Sequence, residues 1–121
     1  MKLRFHDGSI RLRLSQAEVA RAAAGETVTA STPMSGGALT CRLTPMPADP
    51  PAFSARFDNG AIEVSAPVAQ TRAWASSNDE GMYADQTLAG GGLLKIAIEK
   101  DYACLHKPEE NADTFPNPAH A

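Results

Sequence analysis

The sequence predicts an α+β fold in which a mainly antiparallel, curved sheet is covered by two short helices. Three observations lead to this prediction. Several segments alternate polar and apolar residues, glycine-containing turns separate these segments, and two further segments have helix-forming composition. The chain of 121 residues, 43% of them hydrophobic and 21% charged, is long enough for one domain with its own core.

The chain is predicted to begin with a β-hairpin. Residues 2–6 and 10–14 both alternate polar with apolar side chains, and Asp7-Gly8 between them is a typical two-residue turn. Because side chains two apart share a face of a strand, Leu3 and Phe5 are expected to point towards the core.

A helix should follow this hairpin. Ser15 and Glu18 form a capping-box pattern at its start, and Gly25 suits a left-handed cap at its end. Residues 27–31 and 39–43 then predict two strands joined by a Ser-Gly-Gly turn.

The second half of the chain has a similar order. The proline-rich stretch 45–51 is expected to be a surface loop, since proline cannot donate a ladder hydrogen bond. Alternation over 53–57 places Phe57 on the core side, and the turn at 58–60 leads into the strand 62–65.

A helix over 67–75 and strands over 82–88 and 94–99, the latter two joined by a triple-glycine turn, complete the predicted elements. The order strand, helix, strand, glycine turn, strand of residues 10–43 therefore recurs over residues 62–98. This repetition indicates an internal duplication of a strand-helix-strand-strand unit with pseudo-twofold packing. The alternative is that the same order of elements recurs by chance within an α+β domain, because the two halves share few identical residues.

Composition argues against several classes of function. The net charge is −3, and residues 1–60 carry seven basic and five acidic side chains against four and nine over the remainder. A duplex-DNA binder would need a basic excess, and a membrane-spanning helix would need about 20 consecutive apolar residues. With two cysteines and an opening segment that is unlike a signal peptide, we expect a bacterial-type cytoplasmic protein with free thiols.

Strand alternation predicts a basic surface on the side facing away from the core. Its expected members are Lys2, Arg4, His6, Arg11, Arg13, Arg42 and Arg56. On a single curved sheet they would suit phosphate or carboxylate, because arginine donates paired hydrogen bonds to such groups. The candidate ligand-binding residues are Arg11, Arg13, Arg42, Arg56, Glu63 and Glu99. In the simpler alternative, Glu63, Lys95 and Glu99 neutralise an ordinary solvated face.

The element order resembles that of tunnel-shaped triphosphate-hydrolysing proteins, whose tunnel holds basic residues for phosphate and carboxylates for metal. The resemblance is limited to element order, because no strand carries the alternating pair of glutamates that opens that family. In the absence of a recognisable catalytic constellation, we interpret the chain as a non-enzymatic binding or interaction domain without a cofactor. A phosphate-binding protein or a metal-dependent phosphohydrolase is the alternative. A small anionic ligand, a protein partner or a second copy of the chain are the expected partners.

The C-terminal region divides the chain into a domain over 1–105 and an acidic, proline-rich tail over 106–121. Cys104 and His106 are candidate metal ligands, although one intervening residue departs from the usual zinc spacing and a second pair is missing. A buried thiol beside a solvated tail is the alternative. Phe115 is expected to anchor the tail on the domain.

Two segments resemble a family of small bacterial proteins of about this length that has no established activity. One is Glu99-Lys100-Asp101-Tyr102-Ala103-Cys104-Leu105 followed by Asp113-Thr114-Phe115-Pro116-Asn117-Pro118, and the other is Ile10-Arg11-Leu12-Arg13-Leu14-Ser15 with Glu18 and Val19. The resemblance spans most of the chain and implies fold boundaries rather than a mechanism.

Overall fold

A computed structural model of the chain describes residues 1–49, 51–102 and 113–116. Over these residues the chain forms eight strands and two helices, which confirms the predicted α+β class. The elements are β1 (Lys2–His6), β2 (Ser9–Leu14), α1 (Gln16–Ala23), β3 (Val28–Met34), β4 (Gly37–Met46), β5 (Ser54–Asp58), β6 (Ala61–Pro67), α2 (Val68–Ala75), β7 (Gly81–Thr87) and β8 (Leu93–Lys100).

The strands of the described residues form two four-stranded sheets, where the sequence led us to expect one curved antiparallel sheet. Sheet I has the order β1-β2-β8-β7, and sheet II has the order β3-β4-β6-β5. Outer strands pair antiparallel with their neighbours, but the central pairs β2–β8 and β4–β6 are parallel. The difference arises because each sheet takes one hairpin from each half of the chain, and residue alternation does not specify which hairpins meet.

The inner faces of both sheets and the two helices enclose one hydrophobic core. Its buried members are Ile10, Leu12, Leu14, Val19, Ala22, Val28, Cys41, Leu43, Ile62, Val64, Ala66, Trp74, Met82, Ile96 and Ile98. Leu12, Leu43 and Ile96 therefore share one interior, as predicted.

Phe5 and Phe57 depart from the prediction that they belong to this core. They are 57% and 69% exposed, respectively. Each lies near the turn end of an edge strand, β1 or β5, where the sheet offers a neighbouring strand on one side alone. Alternation assigned them to the inner face of a strand, but the core does not extend that far along either strand.

Helix α1 begins with the predicted capping box. The Ser15 hydroxyl accepts the Glu18 N–H at 3.3 Å, and the Glu18 carboxylate accepts the Ser15 N–H at 3.0 Å. The same carboxylate lies 2.6 Å from the amino group of Met1. Burial on its own would raise the pKa of Glu18, but the ammonium group and the bonds from Ser15 outweigh it and hold the pKa below its usual value. Gly25 follows the helix with φ +86°, as expected for its C-terminal cap.

The described residues of the tail, 113–116, lie against the domain. The backbone carbonyl of Asp113 accepts the Gln16 N–H at 3.0 Å, at the start of α1. Phe115 is partly buried against the core, and its ring meets that of Tyr102 edge to face, with 6.1 Å between ring centroids. Phe115 thus contacts its own domain, in agreement with the expectation for this residue.

Candidate functional site

The outer face of sheet I, which we call the basic face, carries a regular grid of polar side chains. Strand pairing places the outward-pointing residues in three rows that cross all four strands of this sheet in the order β1, β2, β8, β7. The rows are Lys2, Arg13, Glu99, Gly81, then Arg4, Arg11, Ala97, Tyr83, then His6, Ser9, Lys95, Asp85. Neighbours in a row are close enough for their side chains to interact.

Glu99 is the buried centre of the basic face, with 4% of its surface exposed. Its Oε1 atom lies 3.2 Å from Nε of Arg11 and 3.7 Å from Nε of Arg13. Its Oε2 atom accepts the hydroxyl of Tyr83 at 2.7 Å. A buried carboxylate is costly unless it is paired and hydrogen-bonded, and the ion pairs with the two arginines and the hydrogen bond from Tyr83 satisfy that requirement. Glu99 consequently fixes the positions of Arg11 and Tyr83 on either side of β8.

Gly81 provides the space for this arrangement. A Cβ atom at this position would lie 2.7 Å from Cγ of Glu99 and 3.0 Å from the hydroxyl oxygen of Tyr83. The backbone carbonyl of Ile98 would be equally close, at 2.8 Å. A residue without a side chain is therefore needed where β7 passes the buried carboxylate.

Tyr83 is a firmly protonated donor with an exposed ring. Burial of the hydroxyl, followed by its hydrogen bond to Glu99, raises the pKa of Tyr83 to about 12. The residue as a whole is nevertheless 57% exposed. The bond to Glu99 therefore holds the hydroxyl in place while much of the ring remains accessible to a ligand.

Ala97 leaves a gap between Arg11 and Tyr83. These two residues are its direct partners on the neighbouring strands, and all three border a groove of about 530 Å³. Lys95 and Asp85 border the same groove one row away. The smallest side chain of the middle row thus forms the floor, and longer polar side chains form the walls.

A second groove, of about 250 Å³, adjoins the first on the basic face. It is lined by Arg4, His6, Ser9 and Arg11, and two of these residues, Ser9 and Arg11, also line the first groove. Among the described residues, Arg4 has no carboxylate within ion-pair distance, and the contact of Arg11 with Glu99 is made through Nε. Guanidinium nitrogens of both arginines therefore remain available to an anion.

The arginines of sheet II are engaged differently. Arg42 lies 3.3 Å from one carboxylate oxygen of Glu63, and Arg56 donates two hydrogen bonds, at 3.0 and 3.1 Å, to the other. The six candidate residues thus form two clusters, one on the outer face of each sheet, and do not converge on one site. On sheet II the arrangement matches the neutralised, solvated face that was the simpler alternative.

Tyr83, Gly81 and Ala97 were not identified as candidate residues from the sequence. Alternation along the predicted strand 82–88 would have placed Tyr83 on the outer face, opposite Met82. Alternation does not predict which strand lies beside β7. The role of Tyr83 depends on the pairing of β7 with β8, which brings its hydroxyl to Glu99.

A separate apolar groove, of about 320 Å³, lies where one end of sheet I approaches one end of sheet II. Phe5 and Phe57 stand at its edges, and Ile10, Ile62 and Leu94 contribute further apolar surface. Exposed aromatic side chains of this size in one patch are typical of contact surfaces.

Cys104 and His106, the candidate metal ligands, lie outside the described residues. Within the ranges that the structure describes, no three His, Cys, Asp or Glu side chains are grouped as a metal ion would require. Cys41 is buried, and burial raises the pKa of its thiol to about 11, so the thiol stays protonated.

The two mixed sheets, the shared core and the basic face define a small α+β protein with a polar surface groove. The chain belongs to a family of unknown function, DUF7009, whose model matches residues 1–119. No curated protein and no solved structure matches the chain. Within the described ranges, no helix is both long and apolar enough to cross a membrane.

Proposed function

We propose that this protein is a binding domain that holds a small anionic ligand on its basic face. The observation that carries the proposal is the groove lined by Arg4, His6, Ser9 and Arg11, whose lining includes no carboxylate. Arginine offers a planar fork of N–H donors that matches phosphate and carboxylate oxygens. The buried pairing of Glu99 with Arg11 supports the proposal, because a fixed arginine loses less entropy on binding.

Charge favours a small ligand over a polyanion. The chain as a whole has a net charge of −3, so the basic face is a local feature on an acidic protein. Asp85 stands at one end of the groove and would repel a chain of phosphates that continued past it. A ligand with one or two anionic groups fits this distribution best.

Binding is also better supported than hydrolysis. A metal-dependent phosphohydrolase needs several carboxylates that converge on its metal. Glu99 is already engaged by Arg11, Arg13 and Tyr83, and Glu63 belongs to the other sheet. We therefore propose a binding protein rather than an enzyme.

Replacement of Arg4 tests this proposal. Isothermal titration calorimetry with ribose 5-phosphate should detect binding to the wild-type protein, and Arg4→Ala should weaken it roughly tenfold or more through loss of a charge-assisted hydrogen bond. Arg4 has no ion pair among the described residues, so its replacement should leave the fold unchanged. Arg56→Ala, on sheet II, is the matched control and should bind like the wild type. Equal affinity in all three proteins, or no binding to any of them, would refute the proposal.

We further propose that the two halves of the chain descend from a duplicated unit of two strands, a helix and two strands. In the first two strands and the helix of each half, equivalent residue numbers differ by 52, as from Lys2–His6 to Ser54–Asp58 and from Gln16–Ala23 to Val68–Ala75. If each strand of sheet I is replaced by its equivalent in the other half, the order β1-β2-β8-β7 becomes β5-β6-β4-β3, which is the order of sheet II read from its other edge.

The registers of strand pairing support the same relation. Leu12 pairs with Ile98 in sheet I, and Val64, the equivalent of Leu12, pairs with Leu43 in sheet II. The proposed unit is longer by one strand than the strand-helix-strand-strand repeat expected from the sequence. Alignment of the two halves across relatives tests it: similarity no greater than that of shuffled sequences would count against duplication.

The apolar groove supports a second proposal, that two copies of the chain associate there. Phe5 and Phe57 occupy equivalent positions of the two halves, which gives the groove an approximate twofold symmetry suited to self-contact. Sedimentation velocity should detect dimers of the wild type at high concentration, and Phe57→Ser should shift the protein to monomer. Met34→Ser, at another exposed position, is the control. A wild-type protein that is monomeric throughout would rule this out.

A bacterial, cytoplasmic location is part of the proposal. The resemblance to small bacterial proteins supports it, as does Cys41, a buried free thiol that suits a reducing compartment. Recovery of the native protein from a periplasmic or secreted fraction would contradict this location.

A further inference from the structure

The Ala97 gap has the shape of a slot for a flat group. Arg11 and Tyr83 are the direct neighbours of Ala97 on the two flanking strands. Adjacent strands lie about 4.8 Å apart, so the backbones of Arg11 and Tyr83 are separated by roughly 10 Å. An alanine between two long side chains leaves an opening that a ring can enter edge first and that a bulky aliphatic group would fill poorly.

Both walls of the slot are side chains that stack on aromatic rings. Tyrosine stacks through its own ring, and the planar guanidinium of arginine stacks on ring faces through cation–π attraction. Glu99 holds both of them, at 2.7 Å from the hydroxyl of Tyr83 and 3.2 Å from Nε of Arg11. One buried carboxylate therefore organises the two walls before any ligand arrives.

One end of the slot carries two complementary polar groups. Lys95 and Asp85 lie together in the next row, so that one ammonium donor and one carboxylate acceptor face the same groove. The edge of a nucleobase presents donors and acceptors side by side and can use both. Past Ser9, which lines both grooves, the slot adjoins the groove of Arg4 and His6, where the anionic group is proposed to bind.

From this geometry we infer that the ligand is a nucleoside monophosphate, with its base between Arg11 and Tyr83 and its phosphate at Arg4. The inference rests on the proposed anion binding and adds the aromatic part of the ligand to it. The first groove, of about 530 Å³, falls in the range that small-molecule sites occupy, and the adjoining groove adds about 250 Å³ for the phosphate.

Calorimetry on the full chain tests the inference with three ligands: adenosine 5′-monophosphate, guanosine 5′-monophosphate and ribose 5-phosphate. At least one nucleotide should bind roughly tenfold more tightly than ribose 5-phosphate, which is the gain expected from stacking one base. Tyr83→Leu and Ala97→Leu should both abolish that preference, so that the nucleotides bind no more tightly than ribose 5-phosphate. Ala61→Leu is the matched control, since Ala61 is likewise an outward-facing alanine on a central strand, but of sheet II.

The outcomes separate this inference from the proposed function. If ribose 5-phosphate does not bind, the proposed anion binding itself is wrong. If it binds but neither nucleotide binds more tightly, or if Tyr83→Leu keeps the preference, the nucleotide assignment is wrong and anion binding stands. A single-stranded oligonucleotide that binds more than about tenfold more tightly than both nucleotides would overturn the assignment to a mononucleotide.

Discussion

Leu43→Ala is expected to lower the free energy of unfolding by about 2–5 kcal/mol. Leu43 is fully buried on β4 and pairs with Val64 across the central parallel strands of sheet II. It packs in the core that sheet I and the helices share, so its truncation leaves a cavity that no single element can close by moving. Urea denaturation followed by the fluorescence of Trp74, itself buried in this core, measures the change.

Phe57→Ala is the informative control for this experiment. Phenylalanine is larger than leucine, but Phe57 is 69% exposed, so most of its surface is in contact with water in the folded protein. Its truncation should change the free energy of unfolding by no more than about 0.5 kcal/mol, the range of ordinary surface substitutions. A loss at Phe57 as large as that at Leu43 would show that Phe57 packs in the core, as alternation along its strand had suggested.

The contrast between these two residues indicates what alternation can predict. A period of two predicts the face of a strand to which a residue belongs, and it correctly turned Arg11 and Arg13 away from the core. It contains no information on where the core stops along the strand. Phe5 and Phe57 lie beyond that limit because they sit close to the turns of two hairpins at the edges of sheets.

For the candidate site, residue alternation predicted the outer face correctly but not the sheet to which each residue belongs. Arg11 and Arg42 were both expected on a polar outer face, and both have carboxylate partners there. Their assignment to one site assumed one sheet, whereas long-range pairing distributes them over two. Local sequence signals do well for the capping box of α1, whose partners lie three residues apart. They say nothing about the pairing of β2 with β8, which joins residues more than 80 positions apart in the chain.

Gly81→Ala is expected to destabilise the protein by about 1–3 kcal/mol, the usual cost of forcing extra volume into a packed site. The direction of the change in unfolding free energy is informative, because alanine in a strand is normally favoured over glycine by roughly 0.5–1 kcal/mol. Here the new methyl group would meet the side chain of Glu99 at 2.7 Å and the backbone carbonyl of Ile98 at 2.8 Å. The carbonyl is part of β8 and cannot move alone, so β7 would have to draw away from β8 locally, and the Glu99 side chain would have to shift and release Tyr83.

Gly90→Ala provides the matched comparison, since a Cβ atom at Gly90 would meet nothing within 4 Å. Chemical denaturation should find Gly90→Ala close to the wild type and Gly81→Ala clearly less stable. A neutral or stabilising Gly81→Ala would mean that Glu99 can leave its place between Arg11 and Tyr83 at little cost. In that case the walls of the Ala97 gap would not be fixed in advance, and the stacking preference proposed for the basic face would lose its structural support.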